Sequence, residues 1–194
     1  MKVQLIGAAL LAAALAACGG KASFTVGGSI AGLSNPGLVL QVNGGDTINV
    51  PAGATSYSFP NGIDYGTEYT VSIKTQPDHM TCDFATTPTG SAGRTTSINV
   101  VLNCVQNDYV LGGSVVNLQG EGLTLVNGSS SGTLPIAKGA TEFKLLTEIK
   151  VGDAYGLSVL NQPQNPKQVC TIANGTGVMG DADRMNVVVT CVNE

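Results

Sequence analysis

Tryptophan is absent from the chain, aromatic residues make up only 5% of it, and there is a single histidine, His79. Each shortage closes off a class of function. Sugar-binding β modules stack rings on Trp or Tyr, so this little aromatic surface leaves carbohydrate recognition as a secondary reading. A Ser-His-Asp or Cys-His nucleophile system would have to be built around His79, which follows Pro77 in a loop and has no histidine counterpart in the related segment from Gln164 to Gln168. Charge is scarce at 11%, and nine Lys plus Arg in a chain of net charge -4 do not make a phosphate-tracking surface, so no nucleic-acid partner is expected. No CxxC pair occurs, which argues against zinc and thiol redox chemistry. "VGGSIAG" is not followed by Gly-Lys-Ser/Thr, so its glycines mark a bulge or a close backbone approach in a strand rather than a phosphate loop. Neither a cofactor nor an enzymatic activity is expected.

What is present is glycine, 26 of 194 residues, with 43% hydrophobic residues, the balance of a turn-rich β protein that can bury a core. The first segment, "MKVQLIGAALLAAALAACGG", carries one cation, Lys2, then an uncharged Ala/Leu-rich run from Val3 to Ala17. That run is shorter than the ~20 residues a membrane-spanning helix needs, and it reads as an export signal. Leu15, Ala16, Ala17 and Cys18 resemble the lipobox of bacterial lipoproteins. The resemblance implies that residues 1–17 are removed and that Cys18 carries a diacylglycerol as the new N-terminus. Two or more acyl chains make such an anchor stable. Gly19 is not the Asp that in many such lipoproteins signals retention in the inner membrane, so the expected location is the outer membrane of a Gram-negative envelope.

A duplication runs through the rest. "FTVGGSIAGLSNPGLVLQVNGG" from Phe24 and "YVLGGSVVNLQGEGLTLVNGSS" from Tyr109 match at Gly27/Gly112, Gly28/Gly113, Leu33/Leu118, Leu38/Leu123 and Leu40/Leu125 at a constant offset. Later landmarks drift by a few positions, as loop insertions would produce: Tyr69/Tyr155, Gln76-Pro77/Gln162-Pro163, Cys82/Cys170 and Cys104/Cys191. Apolar residues alternate within each copy, the period of a half-buried strand. Tyr69, Val71 and Ile73 share a face; so do Ile98, Val100, Leu102 and Cys104, and in the second copy Met185, Val187, Val189 and Cys191. Asn-Gly steps at Asn43, Asn61, Asn127 and Asn174 supply the positive φ of tight hairpins. Asn127 and Asn174 also match the glycosylation sequon, but the turn role takes precedence in a bacterial lipoprotein. About seven short strands per copy are expected, with Thr141 to Val151 ambiguous between strand and helix.

The expected fold is therefore all-β: two tandem small antiparallel β-sandwich domains, residues 24–104 and 109–194, joined by linker 105–108 and tethered through residues 18–23. With Cys18 assigned to lipid, two cysteines remain per copy. Pairing Cys82 with Cys104 and Cys170 with Cys191 is the simplest of three possible connectivities. A bridge in each small domain would supplement a limited core, and it requires the oxidising compartment that the export signal also implies.

Other chemistry is thinly represented. Asp64, Glu68, Glu148 and Asp153 lie near turns at matching points of the two copies and read as solvated carboxylates. Asp181 and Asp183 in "GDAD" are the candidate oxygen ligands for calcium, though an EF-hand-like loop supplies several more. The paired glycines, "GLxLxxNG", a Tyr-led strand, Gln-Pro, Cys and a closing strand ending in Cys are together similar to the tandem Ig-like repeats of bacterial surface lipoproteins. That resemblance implies a lipid-anchored, non-enzymatic spacer or protein-interaction module, with exposed strand edges as the contact surface for a protein partner. The alternative is a carbohydrate- or calcium-binding surface lipoprotein.

Overall fold

The computed structural model describes residues 22–95, 97–128 and 132–194. The leader, the lipobox and Cys18 lie outside the described residues, as do Ser129, Ser130 and Ser131.

All the regular elements described are strands. In chain order the first eleven are β1 Ser23–Phe24, β2 Val26–Ala31, β3 Leu38–Val42, β4 Thr47–Val50, β5 Ser56–Ser58, β6 Ile63–Asp64, β7 Glu68–Thr75, β8 Met80–Phe84, β9 Thr89–Ser91, β10 Ile98–Asn99 and β11 Leu102–Gln106. The remaining ten are β12 Asp108–Tyr109, β13 Leu111–Val116, β14 Thr124–Asn127, β15 Thr133–Pro135, β16 Glu142–Lys144, β17 Ile149–Lys150, β18 Ala154–Asn161, β19 Gln168–Ala173, β20 Thr176–Val178 and β21 Arg184–Asn193. Turns and bulges cut the alternating runs into more pieces than their periodicity predicts. The ambiguous segment from Thr141 to Val151 forms β16 and β17, with no helix.

Two compact units result: the first runs to Gln76 and resumes over Cys82–Asn103, and the second comprises Pro77–Thr81 and Cys104–Glu194. In the first, a sheet of order β10-β2-β11-β8, with β5 also on β2, accompanies a sheet of order β4-β3-β7-β9. Leu38, Leu40 and Val42 alternate inward from β3 and Val71 is buried on β7, and Val26, Ile30, Phe59, Val100 and Leu102 are buried as well. The second unit repeats the plan with sheets β16-β13-β21-β19 and β15-β14-β18-β20. Its core joins Leu111, Val115, Val187 and Val189 of one sheet to Leu125, Tyr155 and Leu157 of the other, which makes it a β-sandwich.

Among the strand pairs whose direction is described, those of both sandwiches are antiparallel except at one place in each. The first long strand of each unit pairs in parallel with the last: Val26 with Ile98 and Ile30 with Leu102 in the first, and Gly113 with Val187 through Val116 with Thr190 in the second. Hydrophobic periodicity carries no information on strand direction, so this feature is invisible in the sequence. Its consequence is simple: the chain enters each unit at one end of the sheet and leaves it at the other.

The paired glycines explain how these strands come so close. A Cβ on Gly28 would stand 1.8 Å from the Val100 carbonyl oxygen, and one on Gly113 the same 1.8 Å from that of Val187. At that point the β13–β21 register shifts, between Leu111 and Gly113. The shift turns Met185, which alternation alone would direct inward, out to 40% exposure, while Val187, Val189 and Cys191 remain buried. Of the four expected hairpin asparagines, Asn43 (φ 52) and Asn174 (φ 57) take the positive φ of the turn, whereas Asn61 does not and Asn127 ends strand β14.

Candidate functional site

The repeated Tyr, Gln-Pro and Cys landmarks form the same contacts in each unit. Tyr69 lies opposite Gly90 on the neighbouring strand, and Tyr155 lies opposite Gly177. In both cases the phenol covers the glycine so closely that a Cβ there would meet the hydroxyl oxygen, at 2.5 and 2.6 Å respectively. An aromatic ring packed over a strand glycine shields a backbone that has no side chain of its own. In the second unit the Tyr155 hydroxyl also accepts a hydrogen bond from Arg184 Nη1 at 3.0 Å, which links β18 to the start of β21.

The glutamine of each Gln-Pro pair closes an edge strand. Cys170 N–H donates to Gln162 Oε1 at 2.8 Å, and Gln162 Nε2 donates to the Cys170 carbonyl at 3.1 Å. Gln76 does the same for Cys82, at 2.8 and 3.0 Å. The side-chain amide thus stands in for one peptide unit of a missing strand. The cysteine's backbone groups point to the glutamine rather than into the ladder, so Cys170 and its partner Cys191 form a non-hydrogen-bonded cross-strand pair. Such pairs bring the Cα atoms closest, and this one, at 4.0 Å, carries the Cys170–Cys191 disulfide. Cys82 and Cys104 are disulfide-bonded as well.

One buried polar residue escaped the sequence reading. Gln168 is 1% exposed, and its Oε1 accepts from the N–H groups of Gln119 and Gly120 at 2.8 and 2.9 Å. Its Nε2 donates to Asn117 O and Asn193 Oδ1, both at 2.9 Å. Every hydrogen-bonding position of the amide is used, which fixes the loop after β13 to the edge strand β19. Only the tertiary placement reveals this, because nothing local distinguishes Gln168 from an exposed glutamine.

The residues with chemical potential are engaged in the structure. His79 sits at φ 60 and its Nδ1 lies 2.7 Å from Asp181 Oδ1, inside the second unit. The hydrogen bond that the imidazolium donates to Asp181, then the charge of that carboxylate, hold the His79 pKa above its ordinary value of 6.5, and Asp78 adds in the same direction. Asp183 Oδ1 accepts the Val110 N–H at 2.9 Å. The two acids of "GDAD" therefore face different partners instead of converging on one point, and no cluster of three or more metal-ligating side chains occurs among the described residues. Asp64 and Glu68 lie at the ends of β6 and β7 rather than on turns, Glu148 and Asp153 lie just outside strands, and all four are exposed.

The Tyr57 phenol is strongly perturbed. Burial, then the neighbouring Tyr69, push its pKa well above 10, and its hydroxyl donates to the Val100 carbonyl at 3.0 Å. It ties β5 to the close-approach point at Gly28, a structural role. A depression between Leu125, Leu134, Leu145 and Leu146 encloses about 290 Å³ with open solvent included. Its closed interior is about 20 Å³, room for about one water.

The edges of the sheets are protected in several ways. β9, β15, β16 and β20 are each three residues long; β15 ends on Pro135, and β16 carries Glu142 and Lys144 on either side of Phe143. The longer edges β8 and β19 hold the glutamine amides at Cys82 and Cys170. Short, charged or covered edges resist strand addition.

No protein-family model matches the chain, and no curated protein matches it. Among solved structures it is similar to the major pilin protein (T-13) from Streptococcus pyogenes serotype GAS131465, at 13% identity over 90% of this chain and 98% of that chain, with a TM-score of 0.28. It is also similar to the major pilin protein (T3.2) from Streptococcus pyogenes serotype GAS13637, at 13% identity over 89% of this chain and 97% of that chain, with a TM-score of 0.30. At such scores the likeness carries no argument, and the β-sandwich is read from this chain's own sheets.

Proposed function

We propose that this chain is a lipid-anchored protein of the cell envelope, attached through Cys18 to the outer membrane of a Gram-negative bacterium, that works as a non-enzymatic spacer holding a protein partner away from the membrane. The observation that carries the reading is the parallel pairing of first and last strands in each unit. A module whose two chain ends leave from opposite ends of the sheet adds length when inserted in a chain. Two further features support it. His79, Asp181 and Asp183 are each engaged in a structural contact. Disulfides suit an exported protein.

The test is expression in a Gram-negative host fed an alkyne fatty acid. The wild-type chain is expected in the outer-membrane fraction with label attached, and Cys18→Ala in the soluble fraction without label. A soluble, unlabelled wild-type chain would overturn the reading. Calorimetric titration with calcium is expected to give no binding heat.

A further inference from the structure

We infer that the second unit is a force-bearing module, in which β13 and β21 form a shear clamp and the Cys170–Cys191 bond limits how far the module extends when the clamp gives way. The use of such a clamp rests on the tether reading above; its mechanics do not.

The clamp follows from strand direction. Tension applied to the ends of the chain pulls β13 from its Leu111 end and β21 from its Asn193 end. Because the strands are parallel, these pulls slide one past the other along their length. The register partners Gly113 with Val187, Ser114 with Val188, Val115 with Val189 and Val116 with Thr190 are then loaded together. The bond from Arg184 N–H to the Val110 carbonyl, at 2.8 Å, shares that load. In a parallel pair the ladder bonds are evenly spaced and slant across the strands, so sliding strains them together, whereas peeling from one end would break them one at a time. The force at which a domain opens follows its unfolding rate under load, and a transition that must break several bonds together is slower than one that breaks them in sequence.

Three contacts reinforce the geometry. The glycine at position 113 lets the two backbones approach where any Cβ would strike the Val187 carbonyl. On its other side β21 is joined to β19 along six register partners, and the disulfide between Cys170 and Cys191 prevents that pair from sliding. The β13–β21 ladder is therefore the non-covalent step on the load path. Once it opens, the disulfide keeps the 21-position span from Cys170 to Cys191 out of the extending chain.

The experiment is single-molecule pulling on the full chain in two geometries. In one, the handles are at the N-terminal and C-terminal ends. In the other, the C-terminal handle is moved to Ala182, an exposed residue just before β21, so that β21 is peeled from β13. The melting temperature of each handle-bearing chain is checked first. The first unit is loaded identically in both cases and acts as the internal standard. The expected result is a peak force for the second unit several-fold higher between the termini than with the Ala182 handle, with the first unit's peak unchanged. Equal forces in the two geometries would overturn the inference.

A second measurement does not rely on the handle. In Cys170→Ser/Cys191→Ser the extension released by the second unit is expected to grow by about 70 Å, at roughly 3.3–3.6 Å per residue. An unchanged extension would remove the limiting role of the cystine. Failure here and failure of the tether reading are separable, because fatty-acid labelling at Cys18 is scored independently of force.

Discussion

The carboxamide of Gln162 holds both backbone groups of Cys170, taking its N–H at 2.8 Å and giving a hydrogen bond to its carbonyl at 3.1 Å. The same relationship between Gln76 and Cys82 in the first unit makes the Gln-Pro…Cys pattern a structural device. It satisfies an edge strand at the position where the disulfide forces the backbone to face outward. Gln162→Ala leaves the part-buried N–H and carbonyl of Cys170 without this partner. The expected loss is about 1–3 kcal/mol in urea unfolding. Gln162→Asn, one methylene too short to reach both groups, is expected to recover little of it.

The glycine pair makes a sharper prediction. Gly113→Ala puts a methyl group against the Val187 carbonyl, a backbone atom that cannot rotate away. A loss of about 3 kcal/mol or more is expected, at the upper end of overpacking costs. Gly156→Ala is the control: it also lies in a strand, but its Cβ would meet nothing within 4 Å. Thermal unfolding is expected to separate the two variants clearly, and comparable effects would discard close approach as the reason for the glycine.

Much of this architecture was legible in the sequence. Alternation at Leu38, Leu40 and Val42, and at Val187, Val189 and Cys191, gave both the strands and their buried faces, since a period of two fixes the side once one face is apolar. What could not be read depended on groups distant in the chain. Gln162 was visible only as an interruption beside Pro163, because a side chain standing in for a strand has no local signature. Gln168 looked like any exposed glutamine. The outward turn of Met185 follows from a register shift set by Gly113, more than seventy positions earlier. His79 and Asp181 are separated by 102 positions.

The His79–Asp181 pair predicts a pH dependence of definite sign. The folded-state pKa of His79 is raised, with the Asp181 hydrogen bond as the largest cause. The contribution of the pair to stability is therefore fully present below the unfolded value near 6.5 and is lost as pH rises through the higher folded value. Both side chains are about half exposed, so the effect is small and screened by salt. An NMR titration is expected to show the His79 imidazole titrating above 6.5, and Asp181→Asn to lower its midpoint. A midpoint unmoved by that substitution would contradict the assignment.

Removing the second unit's cystine tests how much of its stability the crosslink supplies. With a sequence separation of 21, Cys170→Ser/Cys191→Ser is expected to cost roughly 3 kcal/mol if the bond acts mainly by restricting the unfolded chain. Denaturant unfolding of the oxidised wild type against the double variant measures it. A loss below about 1 kcal/mol would mean that the sandwich core suffices alone.

The most direct test of the account is the mass of the N-terminal peptide of the mature protein, taken from envelope preparations of cells that express the full chain. The account predicts a peptide that begins at Cys18, bears a diacylglycerol on its sulfur and lacks residues 1–17. Recovery of a peptide that retains those residues, or of Cys18 with a free thiol, would contradict it.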